Sequence, residues 1–296
     1  MSIAVSTPDR RAAVGKHVFS APPKFLIERI LTYATLIVAV LLVLFPIYWM
    51  VITSLKLPRE IYRLPALWPQ VVTFQNYEKL LADGSFLTAI RNSLIVATVV
   101  TAISVLISSF AAYSMVRFRY RFRGLIGRLV LFAYLTPASL LFIPLSILMA
   151  QLRLGNSLVG LILVYLTFSL PLSTWLLQGY FRGVPREIEE QAMIDGHSRL
   201  GALIHIVLPL SAPGIAAVSI FTFTGAWNEL LLALVLITSE SQRTAPLALN
   251  YLITSDELPW GPLMAGAVVS AVPLMILYFV AQRFIVQGMT AGSVKG

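Results

Sequence analysis

The chain has no cysteine, so disulfides and thiolate metal sites are excluded. Charge is scarce as well. Asp, Glu, Lys and Arg make up 12% of the 296 residues, about half the share of an ordinary soluble domain. Histidine occurs three times, at His17, His197 and His205, too scattered for a metal constellation. The phosphate-cradling pattern G-x-x-x-x-G-K-[ST], the dinucleotide pattern G-x-G-x-x-G, the zinc pattern H-E-x-x-H and the nucleophile elbow G-x-S-x-G are all missing. Gly15-Lys16 lacks the preceding glycine. No catalytic residue and no cofactor or metal site is therefore expected, and an energy source such as ATP would have to be bound by another chain.

What the sequence does have is apolar length. Hydrophobic residues make up 58% and the mean hydropathy is +0.83. Six runs, at about 30–53, 92–116, 128–151, 158–181, 210–237 and 263–285, are each long enough to cross a bilayer as a helix. Backbone polar groups at that depth must pair within their own segment, and the short alternating strands of a membrane barrel are absent. The expected fold is an all-α integral membrane protein of six spans: residues 1–29 as a polar, mobile amino-terminal segment, 30–285 as the spanning domain, and 286–296 as a tail. No cleavable signal is expected, because the first apolar run is too long for one.

The net charge of +9 gives the orientation. With the amino terminus inside, fifteen of the 22 Lys and Arg fall in inner segments, against seven outside. The sharpest anchor is Arg117, Arg119, Arg121 and Arg123. Both termini are then expected in the cytoplasm. Flanking loops account for the basic excess, so nucleic acid is not an expected partner. Pro46, Pro137, Pro144, Pro171, Pro213 and Pro273 lie within the runs, as packing kinks or as bends around a cavity. The outer segment 54–90 carries turns at Leu64-Pro65, Trp68-Pro69 and Asp83-Gly84 together with several aromatics, which predicts short interfacial helices.

One internal segment, 185–209, breaks the apolar pattern with Glu187, Glu189, Glu190 and Asp195. Pro185 suits a helix start, and the acidic residues then sit at the positive end of its dipole. Ile188 and Ala192, four apart, form a small apolar stripe that could dock on a partner. Gly196 permits the left-handed turn that ends the helix, and Ser198 can cap the next one. A short helix, a sharp turn and a second helix leading into the fifth span are predicted. Either the loop is simply solvated, or it presents a surface to a soluble partner.

The spacing of Glu190-Gln191-Ala192, Asp195-Gly196 and Val207-Leu208-Pro209 resembles the EAA loop of ABC-importer permeases, although Gln191 stands where an alanine is usual and His197 where a small residue is common. Further stretches are similar to the six-span second permease of carbohydrate importers of the maltose and oligosaccharide type. These are Asn76-Tyr77 with Asn92-Ser93-Leu94, Ala111-Ala112-Tyr113 before Arg117, Leu154-Gly155-Asn156-Ser157, Trp227-Asn228-Glu229, and the tail from Gln287 to Gly296. The resemblance implies a MetI-like fold in the bacterial cytoplasmic membrane and a heterodimer with a sister permease. It implies two ATP-binding cassette subunits, which would hold ATP and magnesium, and an extracytoplasmic solute-binding protein. A sugar would be moved by alternating access, with glycerol-phosphate or polyol cargo as the alternative. By the same resemblance Glu187, Glu190, Ala192, Asp195, Gly196, Leu208 and Pro209 would form the ATPase-coupling loop.

Glu229 is the one acid that the runs place inside a span. It reads either as interhelical glue or, with Trp227 and Asn228, as lining of the solute path. A secondary transporter would need more such groups than this single one.

Overall fold

The computed structural model describes residues 23–63, 66–253 and 258–292, with side chains described from Ile27 to Gln282 within them. The expected mobile amino terminus, the turn at Leu64-Pro65 and the last four residues of the tail lie outside the described residues. In chain order the helices are α1 (Pro23–Ser54), α2 (Pro58–Ile61), α3 (Gln75–Leu81), α4 (Ser85–Arg117), α5 (Arg123–Leu135), α6 (Ala138–Gln151), α7 (Leu158–Gly183), α8 (Arg186–Ile194), α9 (Arg199–Ala202), α10 (Leu208–Leu210), α11 (Ala212–Asn228), α12 (Leu231–Leu236), α13 (Ala245–Leu252) and α14 (Trp260–Gly292). A π turn over Leu203–Val207 joins α9 to α10. Among the described residues no strand occurs.

Two compact units are present, divided at Trp49 and Met50. In the first, α1 is predominantly apolar from Ile30 to Tyr48 and exposed throughout that stretch. The second unit holds everything that positions the candidate site. Among the described residues four helices are long and apolar enough to cross a membrane, or up to six spans when each of two bent pairs counts as one.

Two of the runs expected to hold proline kinks or bends turn sharply, beside Pro137 and Pro213. The run at 128–151 is α5 and α6, bent by 96°. The bend falls at Thr136, extended at φ −70° and ψ 122° ahead of Pro137. A residue before proline is pushed out of the helical region. The run at 210–237 is not one helix either. Residues 199–210 and 212–228 meet at 78° around Ser211, and α11 stops at Asn228. Glu229 is extended, at φ −71° and ψ 123°, and α12 starts two residues later. The π turn also has a local cause. Pro209 has no N–H to give the carbonyl four residues back, and the N–H of Leu208 reaches Leu203 instead.

Short helices do form in the outer segment, as α2 and α3. At the other end, the helical backbone of α14 continues to Gly292, past the boundary near 285 expected from composition.

Two apolar clusters bind the spans together. One joins Val96 and Val100 of α4 to Leu161, Val164 and Tyr165 of α7 and to Leu232 and Leu236 of α12. The other joins Tyr113 and Val116 of α4, Leu177 and Phe181 of α7, Leu203 and Val207 of the π turn, and Val218 of α11. Between them runs a hydroxyl ladder: Ser104 to Ser169 at 2.7 Å, Thr174 to Ser108 at 3.1 Å, and Ser173 to Thr222 at 3.1 Å. Such pairs are the usual glue between helices in lipid. At Gly214 the helices come too close for any side chain, because an added Cβ would lie 2.2 Å from the Tyr180 ring.

Candidate functional site

The acidic residues expected at the site fall in two places in the second unit. The first is the charged loop. α8 begins after Pro185 and ends at Asp195, and Gly196 takes φ +96°, which only glycine adopts freely. Ser198 then caps α9, its Oγ accepting from the Gly201 N–H at 3.1 Å. Glu187, Glu190, Asp195, Gly196 and Pro209 are exposed, while Leu208 packs against the apolar cluster of Tyr113, Phe181 and Val207.

Ala192 lies differently from the stripe expected of it. It is buried, whereas Ile188 is exposed. The inward face of α8 is instead Glu189 and Ala192, three apart. The apolar side chains left facing outward around the loop are Ile188, Ile194, Leu200 and Ile204, with Ile194 86% exposed.

Glu189 was not among the expected site residues. It is buried, and its Oε2 pairs with Arg117 Nε at 2.6 Å. Tyr113 donates its hydroxyl to the other carboxylate oxygen. The sequence signal was available only in part, since Arg117 and Tyr113 both lie at the end of an apolar run with a charged loop downstream. Which of three nearby glutamates would turn inward depends on the helix phase that Pro185 sets.

The second place is a cavity of about 340 Å³. Its wall comprises Val100 of α4, Tyr134 and Thr136 at the α5–α6 bend, Tyr165, Phe168 and Ser169 of α7, Phe221 and Thr222 of α11, and Glu229 and Leu232 at the helix break. Aromatic and aliphatic faces with a few polar groups are the usual make-up of a small-molecule site. Glu229 does not sit inside a helix as expected but in the break after one. There its carboxylate answers the free N–H groups of the next helix, accepting from Leu232 N at 3.0 and 3.1 Å and from Ala233 N at 3.3 Å. Tyr165 donates its hydroxyl to Oε2 at 2.8 Å. Trp227 is buried and stacked on Phe223 at 5.8 Å, within an apolar cluster, and does not line the cavity; Asn228 is exposed and does not line it either.

Other motif residues tie loops down. Asn156, at φ +52°, accepts from Thr238 N and Ser239 N at 3.0 and 2.9 Å. Asn92 donates to the carbonyls of Ser241 and Arg243, both at 2.9 Å. Asn76 donates to those of Ser54 and Lys56, both at 2.8 Å. Among the described residues no group of three or more His, Cys, Asp or Glu could hold a metal ion.

Residues 104–291 match the family described as the binding-protein-dependent transport system inner membrane component. The chain belongs to this family of ABC-importer permeases. It is 39% identical over 254 residues to the sulfoquinovosyl glycerol transport system permease protein SmoH of Agrobacterium fabrum, covering 86% of this chain and 89% of that protein. It is 36% identical over 273 residues to the trehalose/maltose transport system permease protein MalG of Thermococcus litoralis, covering 91% and 98%. The permease fold also recurs in a chain of the crystal structure of a bacterial ABC transporter involved in the import of the acidic polysaccharide alginate, with TM-score 0.77 over 87% of this chain and 96% of that one. At 22% identity the shared feature is the fold. A permease of this family is an inner membrane component of a binding-protein-dependent transport system.

Proposed function

We propose that this permease moves a sugar of the di- or oligosaccharide class across the cytoplasmic membrane by ATP-driven alternating access. It would work beside a sister permease and above two ATP-binding cassette subunits that hold ATP and magnesium, and would take its cargo from an extracytoplasmic solute-binding protein. The carrying observation is the loop at 185–209. A short helix ends in the glycine-dependent turn at Gly196, and Ile188, Ile194 and Leu200 stand out into solvent beside Glu187, Glu190 and Asp195. Apolar anchors with a charged rim are what a protein partner's pocket accepts. The basic residues around Arg117–Arg123 support the same side for both termini, the cytoplasmic one.

The cargo class is supported by the names of the relatives, which are permeases for trehalose or maltose and for a sugar-bearing glycerol, and by the cavity, where tyrosine and phenylalanine faces alternate with hydroxyls. Glu229 is already engaged by three donors, which weighs against the ion-coupling carboxylate of a self-sufficient transporter. The test is purification of the complex and reconstitution with its binding protein. ATPase subunits should copurify, and uptake of disaccharide should require ATP. Uptake by the chain alone, driven by an ion gradient, would refute the proposal.

A further inference from the structure

α8 follows α7 directly through Val184 and Pro185, and Arg186 Nη2 and the Tyr113 hydroxyl also reach across, to the Val116 and Arg199 carbonyls respectively, both at 3.2 Å. Beyond these, two connections lead onward from α8 and α9 into the spanning helices. The covalent one runs through α9, the π turn and α10, and then turns by 78° at Ser211 before entering α11. A widened turn followed by a bend gives two places where a displacement can be absorbed. The other connection is lateral. Glu189 of α8 meets Arg117, the last residue of α4, at 2.6 Å, with both side chains only 6% exposed. Tyr113, one turn earlier on α4, holds the second carboxylate oxygen. Arg117 Nη2 also donates to the carbonyl of Val184, just past the end of α7, at 2.9 Å. One guanidinium therefore fastens together the end of α4, the end of α7 and the first turn of α8. Separating these elements would leave a buried charge without its counter-charge, so the three are bound to move together.

We propose that Arg117 and Glu189 are a positioning pair that carries displacement of α8 into α4 and braces the short chain link from α8 to α7, bypassing the bend at Ser211. This rests on reading the loop as the contact for ATPase subunits. The consequence reaches the cavity, because Val100 of α4 and Tyr165 and Ser169 of α7 form its wall. The pair thus sits at the foot of two helices that shape the candidate solute path. The exposed neighbours Glu187 and Glu190 have no such reach into the helices.

The experiment uses the assembled importer and needs no knowledge of the cargo. The chain has no cysteine of its own, so Leu172→Cys, on the cavity wall, is the one maleimide target within this chain, read on the separated subunit. Its labelling rate is read with and without MgATP, per assembled complex. In the otherwise unaltered chain MgATP should change the rate by about fivefold or more, the usual lower size of coupling between sites. Arg117→Gln or Glu189→Gln should shrink the change below about twofold while the ATPases still copurify and hydrolyse ATP. The exchange Arg117→Glu with Glu189→Arg should restore a large part of it. An undiminished response in the single variants overturns the proposal. So does a lost response that the exchange fails to restore, which would assign the effect to the residues separately. If MgATP changes nothing even in the unaltered complex, the loop is not the ATPase contact and the pair falls with it. That outcome is recognisable because it precedes any substitution.

Discussion

Glu189 and Glu229 are both acids at the end of a helix, the first buried and the second half-buried on the cavity wall, yet their surroundings have opposite character. Glu189 is met by a guanidinium, a full counter-charge, from a different helix. Glu229 is met by neutral donors, two backbone N–H groups of its own next turn and one tyrosine hydroxyl. Removing Glu189 strands a buried positive charge, whereas removing Glu229 strands only dipoles. The first arrangement makes a stiff joint between elements far apart in sequence. The second is a local cap that lets one span break without losing its hydrogen bonds, as irregular backbone in a membrane protein must.

The largest effect should come from breaking the stiff joint. Glu189→Ala should cost about 3–5 kcal/mol, the range for one partner lost from a buried pair. Replacing both members, Arg117→Met with Glu189→Met, should recover most of that, since a packed apolar pair needs no counter-charge. Thermal unfolding of the detergent-solubilised complex measures both. Equal losses for Glu189→Ala and Glu190→Ala would erase the distinction between the buried and the exposed glutamate.

That distinction shows where the sequence stops being informative. Six apolar runs and the charged interruption were legible because both follow from composition over tens of residues. Gly196 and Ser198 were legible because turn and cap chemistry is local. The identity of the inward glutamate was not, because Glu187, Glu189 and Glu190 differ only by helix phase, and only the folded chain shows which phase Pro185 sets and that Arg117 of another helix meets Glu189. The break at Glu229 was hidden for a related reason. The run from 210 to 237 has its proline and glycines at Pro213, Gly214 and Gly225, none of them at the break, and the acid that permits the break looks, in sequence, like a charge inside a span. Trp227 and Asn228 were grouped with Glu229 by adjacency, but successive helical residues face different ways and Trp227 turns into the core.

Glu229 sharpens the comparison from the other side. Glu229→Ala should cost about 1–3 kcal/mol by orphaning the N–H groups of Leu232 and Ala233 and the Tyr165 hydroxyl. Glu229→Gln keeps an acceptor oxygen and should cost clearly less. If stability falls equally in both variants, the charge matters and the neutral-donor picture is wrong. If stability holds in Glu229→Gln while uptake is lost, the carboxylate acts on the solute directly.

Gly196→Val tests the turn without touching either acid. Its Cβ would meet nothing within 4 Å, so the cost is backbone strain alone, about 1–2 kcal/mol. The loop should detach from the ATPases before the spans unfold, read as lost copurification with a near-normal unfolding temperature. Full copurification and coupling would show that the turn tolerates another geometry.

The smallest effect belongs to an acid with no burial at all. Asp83 precedes α4, and its Oδ1 accepts from the Ser85 N–H at 3.0 Å and the Ser85 hydroxyl at 2.9 Å. These bonds hold its carboxyl below the ordinary value of 3.8. A depressed pKa stabilises the fold above the ordinary value, and the contribution fades as pH falls through the lowered one. Solvent screens a group this exposed, so the gain is slight. Asp83→Asn should therefore leave the unfolding temperature unchanged near neutrality to within a degree or so. It should also flatten whatever part of the decline below about pH 4 belongs to this turn. A loss at pH 7 comparable to that of Glu229→Ala would mean that a fully exposed acid can do the work of a sheltered one, and the ranking by surroundings would collapse.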